Sequence, residues 1–265
     1  MMREALTRSA GCIRLNSEFT MARMQPLSPQ PVLIDQAYER LVEAIADRTL
    51  VPGQRIRQEE LGRLLGVSRQ PISHALQLLK KQKLVEEHGR RGLIVSGIDA
   101  IRVRELYQIR SALDGLAARL AAERIAGRVI DLQSRRAAQR ALAAGLALRP
   151  DAPVLAFIQA DVAFHTALCR LSGNRAIEET VAAQWPHLKR SMEAVLGDPE
   201  QRPRVWAEHR EILRFVLAGD APAAERAACH HTDRAGAETA SRLSQSLLSP
   251  GGNCHAADGG AASAI

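Results

Sequence analysis

Two groups of residues in this chain have the types and spacing to do chemistry. Asp161 and His165 lie four positions apart, a spacing that on a helix brings a carboxylate and an imidazole out on one face, where both can reach one cation. The same spacing is common in helices that hold no ion, the histidine being packed or solvated. Arg110 and Asp114 are also four apart, so the guanidinium can close a salt bridge one turn along its own helix. The second group is cationic. Between Arg69 and Arg91 stand Arg69, Lys80, Lys81, Lys83, Arg90 and Arg91 against Glu86 and Glu87, a local excess suited to phosphate. The Arg69 guanidinium matches the O6 and N7 of a guanine. Ser68 and Gln70 beside it bond a phosphate or base edge, or act as plain caps.

The elements that must position these residues are set by pattern. A short helix ends at Gly66, the turn Gly66-Val67-Ser68 comes next, and a second helix begins after Ser68, with Ile72, Leu76 and Leu79 as its buried stripe. This is the order of a helix-turn-helix, with Ser68 as its expected cap and Pro71 in the first turn. Leu84–Glu87 and Gly92–Val95 read as two strands around a basic, glycine-flanked tip of His88, Gly89, Arg90 and Arg91. Ile34–Arg48, with Ala37, Leu41 and Ile45 four apart, reads as an amphipathic helix packed beneath, ended by the Pro52-Gly53 turn. Residues 31–97 thus form a winged helix-turn-helix, and Ser96–Asp99 links it to the second half of the chain. From Ala100 to Leu248 the sequence is rich in Ala, Leu, Arg and Glu. Breaks at Gly127, Arg149-Pro150, Ser172–Asn174, Gly197–Pro199 and Gly219-Asp220 mark about six helices. The fold expected is therefore mainly α, with an all-helical bundle over residues 98–248.

Composition bounds the rest. With 265 residues, 46% of them hydrophobic, the chain can bury a sizeable core. A formal charge of +7 favours an anionic partner. Cys12, Cys169, Cys229 and Cys254 are scattered without zinc-knuckle or disulfide spacing, so reduced thiols are expected. No run approaches the roughly 18–20 apolar residues of a membrane span, which points to a cytoplasmic protein with no membrane partner. Residues 1–30 lack any period and read as a disordered extension, and residues 249–265 as a loose, Gly-rich tail.

The chain resembles the GntR family of bacterial transcription regulators in its first unit and the FadR-type effector domain, called FCD, in its second, over roughly residues 33–245. The resemblance is carried by Pro52-Gly53, by Leu61…Leu65-Gly66-Val67-Ser68-Arg69-Gln70-Pro71…Ala75-Leu76 and by the basic wing. In the second half it rests on Leu106–Arg110 with Leu113-Asp114, Asp161-x-x-Phe164-His165, Leu171–Asn174, Glu208-His209-Arg210 with Ile212, and Gly219-Asp220 with His231. It implies that His209 and His231 join Asp161 and His165 around a divalent ion, Zn, Ni, Mn or Fe(II), which softness does not separate. His230 competes with His231, but neighbours on a helix point about 100° apart, and the offset from Gly219-Asp220 favours His231. Asp114 stands where the family often has Glu and is given no ligand role. On the DNA side the family commonly has Arg-Glu where this chain has Ser73-His74. Ser73 can still bond a phosphate or base edge, and His74 replaces part of the lost contact.

The function implied is a homodimeric regulator, a repressor, that binds a double-stranded palindromic operator and responds to a small carboxylate held near the metal with the help of Arg110. The alternative is a metal-dependent hydrolase with an accessory basic domain, using the Asp/His cluster to activate water, with Glu208 as its only obvious base.

Overall fold

The computed structural model describes residues 31–89, 92–129 and 131–248. The expectations for residues 1–30, for Arg90 and Arg91, and for residues 249–265 lie outside the described residues.

Helix α1 (Pro31–Ala46) buries Ala37, Leu41 and Ile45, and stops where Arg48 turns to φ 65°, two residues short of the reach its apolar pattern suggested. Helix α2 (Gln58–Leu65) ends on Gly66 at φ 66°, a left-handed cap that glycine adopts without steric cost. The Val67 amide then donates to the Gly62 carbonyl at 3.0 Å. Gly62 is needed here, because a Cβ at this position would press on the Val67 carbonyl oxygen at 3.0 Å. Helix α3 (Arg69–Lys81) comes next, with Ile72, Leu76 and Leu79 packed on Leu41 and Ile45 of α1. Strands β1 (Val85–Glu87) and β2 (Leu93–Val95) pair antiparallel with Val85 opposite Val95, and Arg55 adds a bridge to Ile94. The wing is thus present, one residue shorter in each strand than its pattern suggested.

Ser68 occupies the N-cap position in extended geometry, yet its side chain makes no capping hydrogen bond. Pro71 is the third residue of α3 and has no N–H, which removes one of the two amides a serine cap uses.

The bundle contains seven described helices rather than six: α4 (Ala100–Ala126), α5 (Leu132–Leu146), α6 (Val154–Ser172), α7 (Arg175–Ala182), α8 (Trp185–Leu196), α9 (Arg202–Ala218) and α10 (Ala221–Leu248). The missed break is at Ala183-Gln184. No glycine announces it, and Pro186 falls in the first turn of α8, where its missing N–H costs nothing. The long helices α4 and α10 run antiparallel, Tyr107 against Gly236 and Arg119 against Glu225. Their axes approach closely because Gly115 and Gly236 have no side chain: a Cβ would stand 2.4 Å from Cys229 Sγ and 2.5 Å from Tyr107 Cβ respectively.

Helix α6 runs through the core, burying Phe157, Phe164, Leu168 and Leu171. Contrary to the sequence reading, it is long and apolar enough by length and composition to cross a membrane, the one such helix among the described residues. Half of its most apolar window is buried inside the protein, and it carries Asp161 and His165 into the bundle, the pattern of a core helix enclosed by its neighbours.

Candidate functional site

Three helices deliver one cluster. Helix α6 supplies Asp161 and His165 from successive turns, α9 supplies His209 and α10 supplies His231, all four buried. His209 Nε2 lies 3.4 Å from Asp161 Oδ1 and 3.1 Å from His231 Nε2, and His165 Nε2 lies 3.8 Å from Asp161 Oδ2. One ligand atom from each residue falls within 4.8 Å of all the others. An ion bound tetrahedrally at 2.0–2.1 Å would set its ligands about 3.3 Å apart, close to these separations. Asp161 Oδ2 and His165 Nε2 have no hydrogen-bond partner among the described residues although both are buried. Buried polar atoms are normally satisfied, so the donor set fits a divalent cation. His230, by contrast, is exposed.

Carboxylates stand behind two of the imidazoles. Asp114 Oδ2 is 3.2 Å from His165 Nδ1, and it also accepts from Thr232 Oγ1 at 2.9 Å and from Arg110 Nε at 3.1 Å. Glu208 Oε2 is 2.8 Å from His231 Nδ1 and pairs with Arg234. Such partners orient a metal-binding imidazole and raise its basicity. His209 is instead held by rings, stacked on Phe164 at 4.4 Å with the Trp206 edge at 4.9 Å.

Electrostatics keep the lone pairs available. Burial, reinforced by the neighbouring imidazoles and Arg110, holds His209 well below the usual histidine value. Burial also lowers His231, against the opposing pull of the Glu208 hydrogen bond. Burial alone would raise Asp114, but Arg110 and His165 outweigh it, so its carboxyl sits well below the ordinary range.

Arg110 closes the salt bridge to Asp114 and also reaches within 3.9 Å of Asp161, its guanidinium lying 4.8 Å over the Trp185 ring. A cavity of only about 20 Å³ adjoins it, bordered by Tyr107, Asp161, His231 and Thr239, room for about one water. Glu208 faces the outer nitrogen of His231 and lies away from the shared ligand point, so it is not placed as a base there. Sequence reasoning missed the orienting roles of Asp114, Glu208, Thr232 and Arg234. The Arg110–Asp114 spacing hinted at the first; Thr232 depends on α4 meeting α10, and Glu208 and Arg234 on α9 meeting α10.

The second set lies on α3. Ser68, Arg69, Gln70 and His74 are exposed and Ser73 is half-buried, while Arg69 pairs with Glu59 of α2. Arg69 shares a groove of about 610 Å³ with Arg55, Arg57 and Arg63, lined also by Glu59 and Glu60 and, from the tip end of the wing, by Gly92 and Leu93. These three arginines were not singled out from sequence, because Arg55 and Arg57 precede the helix-turn-helix, Arg63 lies on its first helix, and only the fold brings them beside Arg69.

The family model "Bacterial regulatory proteins, gntR family" matches residues 33–95, and the "FCD domain" model matches residues 105–234. An "Uncharacterized HTH-type transcriptional regulator in unstable DNA locus" of Streptomyces ambofaciens is 33% identical over 195 residues, 73% of this chain and 79% of that one. The chain belongs to the gntR family of bacterial regulators. It carries the family's helix-turn-helix together with an FCD domain, and is a DNA-binding transcription regulator rather than a metal-dependent hydrolase. A "Probable D-xylose utilization operon transcriptional repressor" of Paenarthrobacter nicotinovorans is 27% identical over 199 residues, 74% of this chain and 84% of the relative. The solved structure of E. coli McbR/YncC shares the fold at TM-score 0.67 and 18% identity, covering 83% of this chain and all of that one (100%).

Proposed function

We propose that this gntR-family regulator is a homodimeric, FadR-type repressor acting in the cytoplasm. Residues 31–97 form its DNA-binding unit and residues 98–248 its effector unit. Asp161, His165, His209 and His231 hold one divalent ion, of Zn, Ni, Mn or Fe(II). The observation that carries this reading is the convergence of four buried ligand side chains, with Asp161 Oδ2 and His165 Nε2 lacking any hydrogen-bond partner among the described residues. When bound, such an ion supplies a positive charge and a coordination position for a carboxylate oxygen. Arg110 lies where it balances the charge of a small carboxylate, exchanging part of its bond to Asp114 for the ligand.

On the operator, Arg69 gives up Glu59 and forks onto a guanine, while Ser68, Gln70, Ser73 and His74 meet phosphates or base edges. Arg90 and Arg91, which fall between the two strands in sequence, reach phosphates or a minor groove. A two-fold dimer matches palindromic half-sites. The repressor name of the Paenarthrobacter relative supports the sign of regulation. Effector binding works by favouring one spacing of the two winged helices over another.

The test is purification without a metal-affinity tag, then metal analysis and binding to the DNA immediately upstream of the protein's own gene at two salt concentrations. About one ion per chain and sequence-selective binding are expected. Metal without selective DNA binding overturns the operator reading, and selective binding without metal overturns the metal-dependent effector site. Neutralising Arg90 and Arg91 together is expected to lower the salt slope of binding by roughly two.

A further inference from the structure

A second polar cavity, of about 510 Å³, opens between the two units, away from both the metal cluster and the Arg69 groove. Its walls come from the end of α3 and β1 on one side and from α4 and α8 on the other, with the 96–99 link running through it. Lys81 ends α3, and at 1.5 Å per residue it lies about 18 Å from Arg69 and the groove at the other end of the helix.

Arg190, on α8, is the buried charge in this cavity, only 3% exposed. Its guanidinium donates to the Ser96 carbonyl, while its Nε and the buried Ser96 hydroxyl have no partner. Among the described residues no carboxylate forms an ion pair with it. Burial, with Arg48 nearby, brings its pKa down to about 10, so it stays charged at neutral pH. Burying an unpaired charge is costly. The other buried arginines are better served: Arg110 has Asp114, and Arg202 has two carbonyls and the Phe157 ring.

The surrounding charge has the same sign. Lys81, Lys83 and Arg102 line the cavity with Arg190, against Glu86 and Asp99. Asp99 already spends an oxygen capping α4 through the Ile101 amide. Lys80 pairs with Glu87 and Arg102 with Glu105, whereas Lys81 and Lys83 have no ion pair among the described residues.

We propose that this cavity is a second effector site, taking a small phosphate-bearing dianion whose oxygens meet Arg190, Lys81 and Lys83. A guanidinium fork and two ammonium groups suit the charge and the several acceptor oxygens of a phosphate. Because the walls belong to both units, the bound anion ties the end of the recognition helix to the bundle, and its affinity is linked to that of the operator. The site is separate from the metal cluster and does not depend on it.

The experiment is thermal unfolding of the full chain titrated with inorganic phosphate at constant ionic strength, in the parent protein and four variants. A saturable rise in Tm is expected for the parent. Lys81→Glu with Lys83→Asn, both outside the core, should weaken the apparent phosphate affinity by roughly tenfold or more, and Arg190→Gln should abolish the rise where it folds. Arg69→Ala and His231→Ala should titrate as the parent does. An unchanged titration in the lysine pair overturns the proposal, as does loss of the rise in Arg69→Ala, which would place the phosphate on the DNA face. If the lysine pair also lowers the salt slope of operator binding, the two lysines belong to DNA phosphates and the proposal fails.

Discussion

His230 and His231 are chemically alike and adjacent, yet only the second is buried with its ring nitrogens at Glu208 and His209. His231→Ala is therefore expected to abolish metal content and His230→Ala to leave it intact, measured by elemental analysis of untagged protein. Glu208→Gln keeps the imidazole but weakens its orientation. Its expected effect is a metal affinity about 10–100-fold lower in a chelator competition. On the DNA side, Arg69→Ala should cost about 1–3 kcal/mol of discrimination at one operator position, read from binding to single-base operator variants; equal weakening on every variant would mark a phosphate contact instead. The Asp161–His165 pair was legible in the sequence because both residues ride one helix. Asp114, Glu208 and the groove arginines were not, because their roles depend on partners from other elements.

At the level of elements, small residues decide which helices can approach. Gly145 on α5 sits under the Trp206 ring of α9, where a Cβ would lie 2.0 Å from ring carbon. Gly145→Ala forces a bulky ring to move beside His209, which it touches edge-on. A loss of about 1–3 kcal/mol is expected from overpacking, with a changed Trp fluorescence, measured by denaturant unfolding. Burial, with Arg190 nearby, holds His187 on α8 below its ordinary value, so the unfolded chain takes up this proton before the folded one does. Its contribution to stability is whole above about pH 6.5 and is lost as pH falls below that value. His209 and His231 act in the same direction, so the check is a difference: His187→Asn should lose less stability than the parent between about pH 7 and 5. The helix-turn-helix and wing were legible because Gly66, the Ile72–Leu79 stripe and the paired strands are local signals. The α7–α8 break was not, since Pro186 in a first turn is compatible with an unbroken reading, and the Ser68 cap failed through the proline two residues into its helix.

Across the whole molecule, the winged unit is held against the bundle by few polar ties, among them the Arg48–Glu193 ion pair and the Arg190 bond to the Ser96 carbonyl. Glu193→Gln is expected to speed limited proteolysis within residues 96–99 by severalfold, because local opening there becomes easier; an unchanged cleavage rate would show that apolar packing alone holds the interface. The sequence by itself determined the elements apart from the α7–α8 break, the order of the two units, the positive face and one half of the ion cluster, since each depends on periodicity, turn chemistry or residues within a few turns. Only the tertiary structure decided that α6, α9 and α10 meet at one point and that Arg110 and Asp114 stand behind it. It alone set Arg55, Arg57 and Arg63 beside Arg69 and left Arg190 charged and short of partners between the units. Those facts are set by how helices distant in sequence pack side by side, and helix spacing within one segment carries no information about its neighbours.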